Sequence, residues 1–407
     1  MFGLVIADNF LLLYVFWEIT SLLSFLLVSY YGERASSRRS AQQALMVTAL
    51  GGLTMLVGII LLGRQTGAWS FTAIAATEQL ANTPYLTVAI VLILCGALSK
   101  SAIAPAHFWL PGAMAAPTPV SAYLHSAAMV KAGIYLVARL APSVHDISTW
   151  HLVVLPLGAF TMLLGGWMAL KQRDLKLILA YGTVSQLGFI TAIIAIGSRE
   201  AMQAGLALTV AHSLFKAALF MIVGAIDHAA GTRDIDQLAG LGKKKPALYI
   251  LAIIPAMSMA GIPPLLGFVA KEATLEAIMG EDLLVGMPRS MLLVAVVAGS
   301  ALTMAYALRF LWGAFASKGQ EEPSEAVAAM HPVGPFLWIP PAALTLLTIF
   351  FGLLPTPLSH GITQHLDNTF GVEEASHLAL WHGWTIALLL SAVIVAAGAL
   401  MHWQRQA

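Results

Sequence analysis

The sequence is a succession of long apolar runs parted by short polar stretches, and that alone confines the chain to a bilayer. A helix crosses the hydrocarbon core with about 20 apolar residues. Residues 42–63, 152–170, 177–198, 246–270, 290–308 and 332–358 are such runs without a charged side chain. Residues 9–29 contain one charge, Glu18; 86–110 contain Lys100, 118–138 contain Lys131 and 201–226 contain Lys216. Residues 378–401 carry no formal charge but hold His382. No water in lipid satisfies an open backbone, so every run must close its hydrogen bonds as a helix. The fold class predicted is therefore all-α and integral to a membrane, with about eleven spans.

Composition excludes the soluble alternatives. Of 407 residues, 59% are hydrophobic and 10% are charged, against about 25% charged in soluble domains. A formal net charge of +1 gives no pull toward nucleic acid. The single cysteine, Cys95, excludes an internal disulfide and any cysteine-based metal or iron–sulfur centre, and within its apolar run it reads as a small core residue. The first six residues are apolar but lack the basic flank and cleavage site of a secretory signal.

Basic residues sort the loops. Arg34, Arg38 and Arg39 follow the first span, Lys171, Arg173 and Lys176 the fifth, and Arg233 with Lys243-Lys244-Lys245 the seventh. The loops between hold few: 64–85 has only Arg64, and 141–150 has none. By the positive-inside rule the basic loops and the tail from His402 lie in the cytoplasm, and the first span runs from outside to inside.

Charge inside the membrane marks function, because each such group costs about 2.5–3.5 kcal/mol to insert and faces the protein interior or water. Glu18, Lys100, Lys131 and Lys216 lie deep in their runs, whereas Lys176 and Glu276 lie near span ends and fit snorkelling or a structural pair as well. His125 precedes Lys131, and His212 and Lys216 stand four apart on one helix face. One acid with several lysines and histidines reads as a proton relay: burial disfavours a charged lysine and a nearby carboxylate favours it, so making or breaking a pair moves a proton.

Two runs are broken. Pro105, Pro111 and Gly112 follow Lys100, and Pro255, Gly261, Pro263, Pro264 and Gly267 lead to Lys271. Proline deletes a helical hydrogen bond and kinks the chain. Paired discontinuous helices in two halves point to an ion site in transporters.

Ordered strings carry a specific resemblance. Ala7-Asp8-Asn9 through Trp17-Glu18, Ser99-Lys100-Ser101 with Pro105-Ala106-His107-Phe108-Trp109-Leu110-Pro111, Ala116-Pro117-Thr118-Pro119 through His125, and Met129-Val130-Lys131 resemble the fifth, seventh and eighth helices of the antiporter-like membrane subunits. Asp174-Leu175-Lys176, His212 through Lys216, and Gly261-Ile262-Pro263-Pro264 through Lys271 resemble the tenth, eleventh and twelfth. These subunits are shared by complex I, membrane-bound hydrogenases and Mrp cation/proton antiporters. The string from Leu110 to Pro119 resembles the A-type subunits of Mrp antiporters, since complex I homologues tend to carry an acid where Gly112 stands.

The resemblance implies inverted five-helix repeats with two discontinuous helices. It assigns 1–141 to a first repeat without its opening helix, 142–316 to a second and 317–407 to C-terminal helices. It implies Glu18 as the acid paired with Lys100. Lys131 and Lys216 join Lys100 in a polar line with His107, His125, Lys176 and His212 along it, and Lys271 ends the second half-channel. The implied activity is the proton-translocating step of a multisubunit Na⁺ (or other monovalent cation)/H⁺ antiporter in a bacterial plasma membrane. The implied partners are other Mrp-type subunits, the two ions and lipid. It implies no cofactor, no resident metal and no nucleic acid, and a secondary transporter rather than an enzyme. The alternatives are a proton-pumping subunit of a complex I-like oxidoreductase or hydrogenase, and an energy-coupling subunit for bicarbonate or CO₂ uptake. Family members carry several helices before the Ala7-Asp8-Asn9 motif, and the A-type Mrp subunits extend past residue 407, so the resemblance implies a chain short at both ends.

Two further groups stand apart. His360, His365, Asp367, Glu373, Glu374, His377 and His382 read as a solvated outer loop, with a cation-collecting site as the alternative. Asp227-His228 reads equally as a helix cap and as a cytoplasmic proton inlet, and Trp381, Trp384 and Trp403 read as interfacial anchors.

Overall fold

The computed structural model describes all residues but 78–79, 81–82, 373–376 and 405–407. Fourteen longer helices carry the fold among the described residues. In chain order they are α1 (Phe10–Val28), α2 (Ala35–Thr66), α3 (Leu86–Lys100), α4 (Thr118–Ser126), α5 (Lys131–Val144), α6 (Ser148–Lys171) and α7 (Leu175–Ile194). They continue as α8 (Arg199–Ala230), α9 (Pro246–Ala260), α10 (Leu266–Gly280), α11 (Met287–Phe315), α12 (Pro335–Leu353), α13 (Thr356–Phe370) and α14 (Ile386–Gln404). Nine segments among the described residues are long and apolar enough to span a membrane, α4 and α5 counting as one. The two shorter apolar helices, α3 and α9, complete the eleven spans expected, and both end at the sequence breaks.

The ends of these helices follow local chemistry. Asn9 caps α1 by accepting from the N–H groups of Leu11 and Leu12, at 2.9 and 3.2 Å. Asp174 does the same for α7, accepting from Lys176 N at 2.7 Å and Leu177 N at 3.3 Å. Gly261 ends α9 in the left-handed region (φ 84°), with its N–H returning to the Met257 carbonyl at 3.0 Å. Where α2 lies on α3, small residues set the distance. A Cβ on Gly96 would meet the Gly51 carbonyl at 2.8 Å, and one on Gly58 the Ala89 carbonyl at 2.7 Å. Such close backbone contact replaces the hydrophobic drive that is missing between helices in lipid.

The chain forms two compact units: residues 1–161 with 187–202, and residues 162–186 with 203–407. The same local order recurs along the chain. Helices of 19, 32 and 15 residues (α1, α2, α3) are matched by helices of 20, 32 and 15 residues (α7, α8, α9). A residue just ahead of the first helix of each triplet forms an antiparallel bridge with the loop that follows the second, Asn9 with Ser70 and Asp174 with Asp234. A partly exposed ion pair stands beside each bridge: Arg139 on Asp8 at 3.2 Å, and Arg233 on Asp174 at 3.0 Å.

Several details depart from the sequence reading. A third interruption, at 127–130, divides the span holding Lys131, because His125 and Lys131 belong to separate helices, α4 and α5. Residues 356–370 are the helix α13, so His360, His365 and Asp367 lie on a helix and not in a loop. Ser359, Ile362 and Leu366, spaced three and four apart, give it one buried face. Glu373 and Glu374 lie outside the described residues, and no group of three potential metal ligands occurs among those described. His382 precedes α14 and does not sit within it. Cys95 is exposed on α3 and is not a core residue. Asp227 pairs with Arg233 at 3.5 Å near the end of α8. Trp381, Trp384 and Trp403 are all exposed.

Candidate functional site

In the first unit the site is built around the end of α3. Lys100 is the last helical residue and is fully buried. Its Nζ donates to the Trp17 carbonyl at 2.6 Å and to the Ser21 hydroxyl at 2.8 Å, and it stands 4.8 Å from the centre of the Trp17 ring. The same carbonyl accepts from Thr20 Oγ1 at 2.8 Å and Ser21 Oγ at 3.2 Å. Hydroxyls that bond back into their own helix leave a local concentration of oxygen, which is what a buried cation requires. Glu18 is next to Trp17 in sequence, yet Lys100 makes no direct ion pair with it among the described residues; the Nζ bonds go to neutral oxygens. Glu18 Oε1 is buried and has no hydrogen-bond partner among the described residues, and it lies where a Cβ on Gly52 would stand.

Beyond Lys100 the chain leaves the helix. Ser101 donates to the Val130 carbonyl at 2.8 Å, Ala104 N–H to Thr161 Oγ1 at 2.9 Å, and Trp109 Nε1 to the Ser99 carbonyl at 2.9 Å. The first of these ties the unwound segment to the start of α5, whose first residue is Lys131. Lys131 Nζ is buried with no hydrogen-bond partner among the described residues. Gly133 makes the approach of α5 to α3 possible, because a Cβ there would collide with the Ala97 carbonyl. His125 is fully buried on α4, and His107 is half-buried in a short 3-10 turn, Ala106–Phe108.

The second unit holds two lysine stations. Lys216, fully buried on α8, donates to the Leu179 carbonyl of α7 at 3.0 Å and stands 5.7 Å from the Tyr306 ring centre. Leu179 O also accepts from Thr183 Oγ1 at 2.9 Å. The arrangement repeats that of Lys100: a lysine on a helix carbonyl that a hydroxyl one turn later also contacts. His212 is fully buried one turn before Lys216. Lys271, on α10, reaches back across the break to the Met259 and Ala260 carbonyls at 3.1 and 2.9 Å. The residues that would close a helical turn onto those two carbonyls are Pro263 and Pro264, which have no N–H. The prolines that break the helix thus create the acceptors, and the Lys271 ammonium satisfies them at the negative end of α9. Glu272 faces the other way and accepts from Ser391 Oγ at 2.8 Å and Thr385 Oγ1 at 3.3 Å.

Lys176 is buried in the first turn of α7, beside the Asp174–Arg233 pair. Of the residues expected from sequence, the structure brings Glu18, Lys100 and Lys131 onto interlocked segments of one unit, and Lys216 with His212 and Lys271 into the other. Sequence reasoning missed Trp17, Ser21, Leu179, Thr183 and Tyr306. The hydroxyls at i+4 from a future acceptor were readable as a pattern, but a backbone carbonyl has no signature in the sequence.

Comparisons with known proteins agree with this architecture. Residues 7–303 match the family described as NADH:quinone oxidoreductase/Mrp antiporter, TM. The chain is 40% identical to Na(+)/H(+) antiporter subunit A1 of Staphylococcus aureus (strain Newman) over 98% of its own length and 52% of that protein's, and equally to that of strain USA300. It thus spans about half the length of the curated relatives it matches. Among solved structures, the Mrp complex from Dietzia sp. DQ12-45-1b matches at TM-score 0.90 and 37% identity, over 99% of this chain and 43% of that one. The archaeal membrane-bound sulfane sulfur reductase, a respiratory membrane complex, shares the fold at TM-score 0.79 and 24% identity, over 90% of this chain and 73% of that one. With the antiporter family match covering most of its residues, the chain is a member of the NADH:quinone oxidoreductase/Mrp antiporter transmembrane family.

Proposed function

We propose that the chain is the A-type, proton-translocating subunit of a multisubunit antiporter exchanging Na⁺ or another monovalent cation for H⁺, in a bacterial plasma membrane. The observation that carries this is the placement of buried lysines against backbone carbonyls at helix breaks and hydroxyl-flanked turns in both units. A buried ammonium held by neutral oxygens is a station for a mobile charge, because its direct bonds are to neutral groups and not to a fixed anion. Within the first unit, Glu18, Lys100, His107, His125 and Lys131 supply the proton-carrying groups; within the second, Lys176, His212, Lys216 and Lys271 do. The matched helix triplets support reading 1–141 and 142–316 as two repeats, with 317–407 as appended helices. The partners are other Mrp-type subunits, the two ions and lipid, and the role is transport and not redox catalysis.

Everted vesicles containing the assembled antiporter test this reading with a dye that reports the pH gradient on addition of Na⁺. The variant Lys100→Met keeps the buried volume and removes the ammonium. Assembly at the wild-type level with loss of cation-driven proton movement is expected. Wild-type transport by Lys100→Met would sink the relay.

A further inference from the structure

Where α9 begins and α11 and α14 end, the second unit has a groove of about 500 Å³ that no relay residue lines. Its floor is α11, through Trp312 and Phe315; Tyr249 of α9 forms one wall, and Lys243, Ser317 and His402 stand at its mouth. The aromatic rings are mutually packed. Tyr249 and Phe315 have centroids 5.0 Å apart, and Trp312 and His402 6.4 Å apart. We infer that this groove binds one anionic phospholipid, its headgroup phosphate against Lys243 and its acyl chains along the apolar surface of α9 and α14.

The depth of the groove in the membrane comes first. Lys243-Lys244-Lys245 is among the most basic stretches of the chain, and the positive-inside rule sets it at the cytoplasmic leaflet. Anionic headgroups are concentrated at that surface, and basic pockets between transmembrane helices there take them. Ring side chains with one polar edge, such as Trp312 and Tyr249, belong at the same level.

Charge comes second. Lys244 is already committed, donating to the Val327 and Ala328 carbonyls at 2.8 and 2.6 Å. Lys243 is exposed and makes no hydrogen bond or ion pair among the described residues, so its ammonium is available at the mouth. Lys318 is committed too: it holds the Gly313 carbonyl at 2.7 Å and stands 5.6 Å from the Trp312 ring centre, so it stiffens the floor and leaves the phosphate position to Lys243. Below the mouth the surface turns apolar and exposed, with Ile250 of α9 and Leu400 and Met401 of α14. A cationic rim over an apolar, outward-facing slope has the two-part chemistry of a phospholipid. A soluble phosphate would use only the rim, and an apolar peptide only the slope.

Photoreactive lipids test this in membranes that contain the full chain in its native assembly. A phosphatidylglycerol probe and a phosphatidylcholine probe, each reactive near the headgroup, are compared by mapping labelled peptides. The groove segments, residues 241–249 and 308–317, are expected to take the anionic probe preferentially. The Lys243→Gln variant alters an exposed side chain without a bonded partner among the described residues, so folding is not at stake. It should lower the preference about fivefold, the factor that one basic residue contributes at an anionic surface. Trp312→Phe, which keeps a ring on the floor, should retain the preference. Equal labelling by both probes would overturn the proposal in favour of ordinary lipid contact. Competition by inorganic phosphate would replace it with a soluble-anion site, and absence of label at both segments would mean that a protein segment covers the groove. None of these outcomes bears on the Lys100→Met transport result, so failure here is separable from failure of the antiporter reading.

Discussion

Replacing Lys271 by Met should destabilise the protein, whereas the same change at Lys131 should not. Lys271 Nζ holds the Met259 and Ala260 carbonyls at 3.1 and 2.9 Å, and Pro263 and Pro264 leave those carbonyls no backbone donor. Methionine fills the same space but orphans two buried acceptors. Each such loss costs about 1–3 kcal/mol. Removing the desolvated charge gives some of this back, since apolar replacement of a buried ion is often neutral or favourable. A net loss of about 2–4 kcal/mol follows for Lys271→Met. Lys131 Nζ has no hydrogen-bond partner among the described residues, so Lys131→Met loses no bond and gains the relief of desolvation. The assay is thermal unfolding of the detergent-solubilised protein followed by tryptophan fluorescence. The expected order of midpoints is Lys271→Met below wild type, and Lys131→Met at or above it. Lys271→Arg, which keeps a donor, should recover part of the loss. A Lys271→Met midpoint equal to wild type, or an equal fall in both variants, would refute the capping argument.

Other expectations concern the glycines that set the site. Gly52→Ala presses on the far end of the Glu18 side chain, which can swing away; folding should persist, and cation-driven proton movement in everted vesicles should fall. Gly133→Ala meets the Ala97 carbonyl instead, a backbone atom that cannot yield, so a loss of about 1–3 kcal/mol is expected in the same unfolding assay. Arg233→Ala removes the partner of both Asp174 and Asp227 at a partly exposed position, and a loss of about 1 kcal/mol or less should register there.

The spans were legible because lipid removes every option but the helix. Run length located α1, α6, α7 and α8 to within a few residues at each end, and Pro263-Pro264 located the break after α9. Less visible was the interruption at 127–130, which has no proline or glycine to announce it. The helix α13 was hidden because its polar residues read as a loop when its buried face, Ser359, Ile362 and Leu366, is not known to have a neighbour. The lysines themselves stood out against an apolar background. What they touch did not: the resemblance implied Glu18 as the acid for Lys100, and Glu18 does act on it electrostatically, but the hydrogen bonds of the ammonium go to Trp17 O and Ser21 Oγ. Backbone oxygens are supplied by every residue alike, so only the fold decides which one faces a cation.

Carbonyl coordination has a consequence that a salt bridge would not. A carboxylate grips an ammonium largely by charge, and that part of the grip is lost when the lysine gives up its proton, so each turnover would loosen and re-form the contact. A carbonyl asks only for an N–H. The neutral amine of Lys271 retains two hydrogens, one for Met259 and one for Ala260, the same two acceptors the charged form holds. In the proposed relay the broken helix therefore keeps its stitching through both halves of a proton cycle, and charge can change hands there while the scaffold stays still.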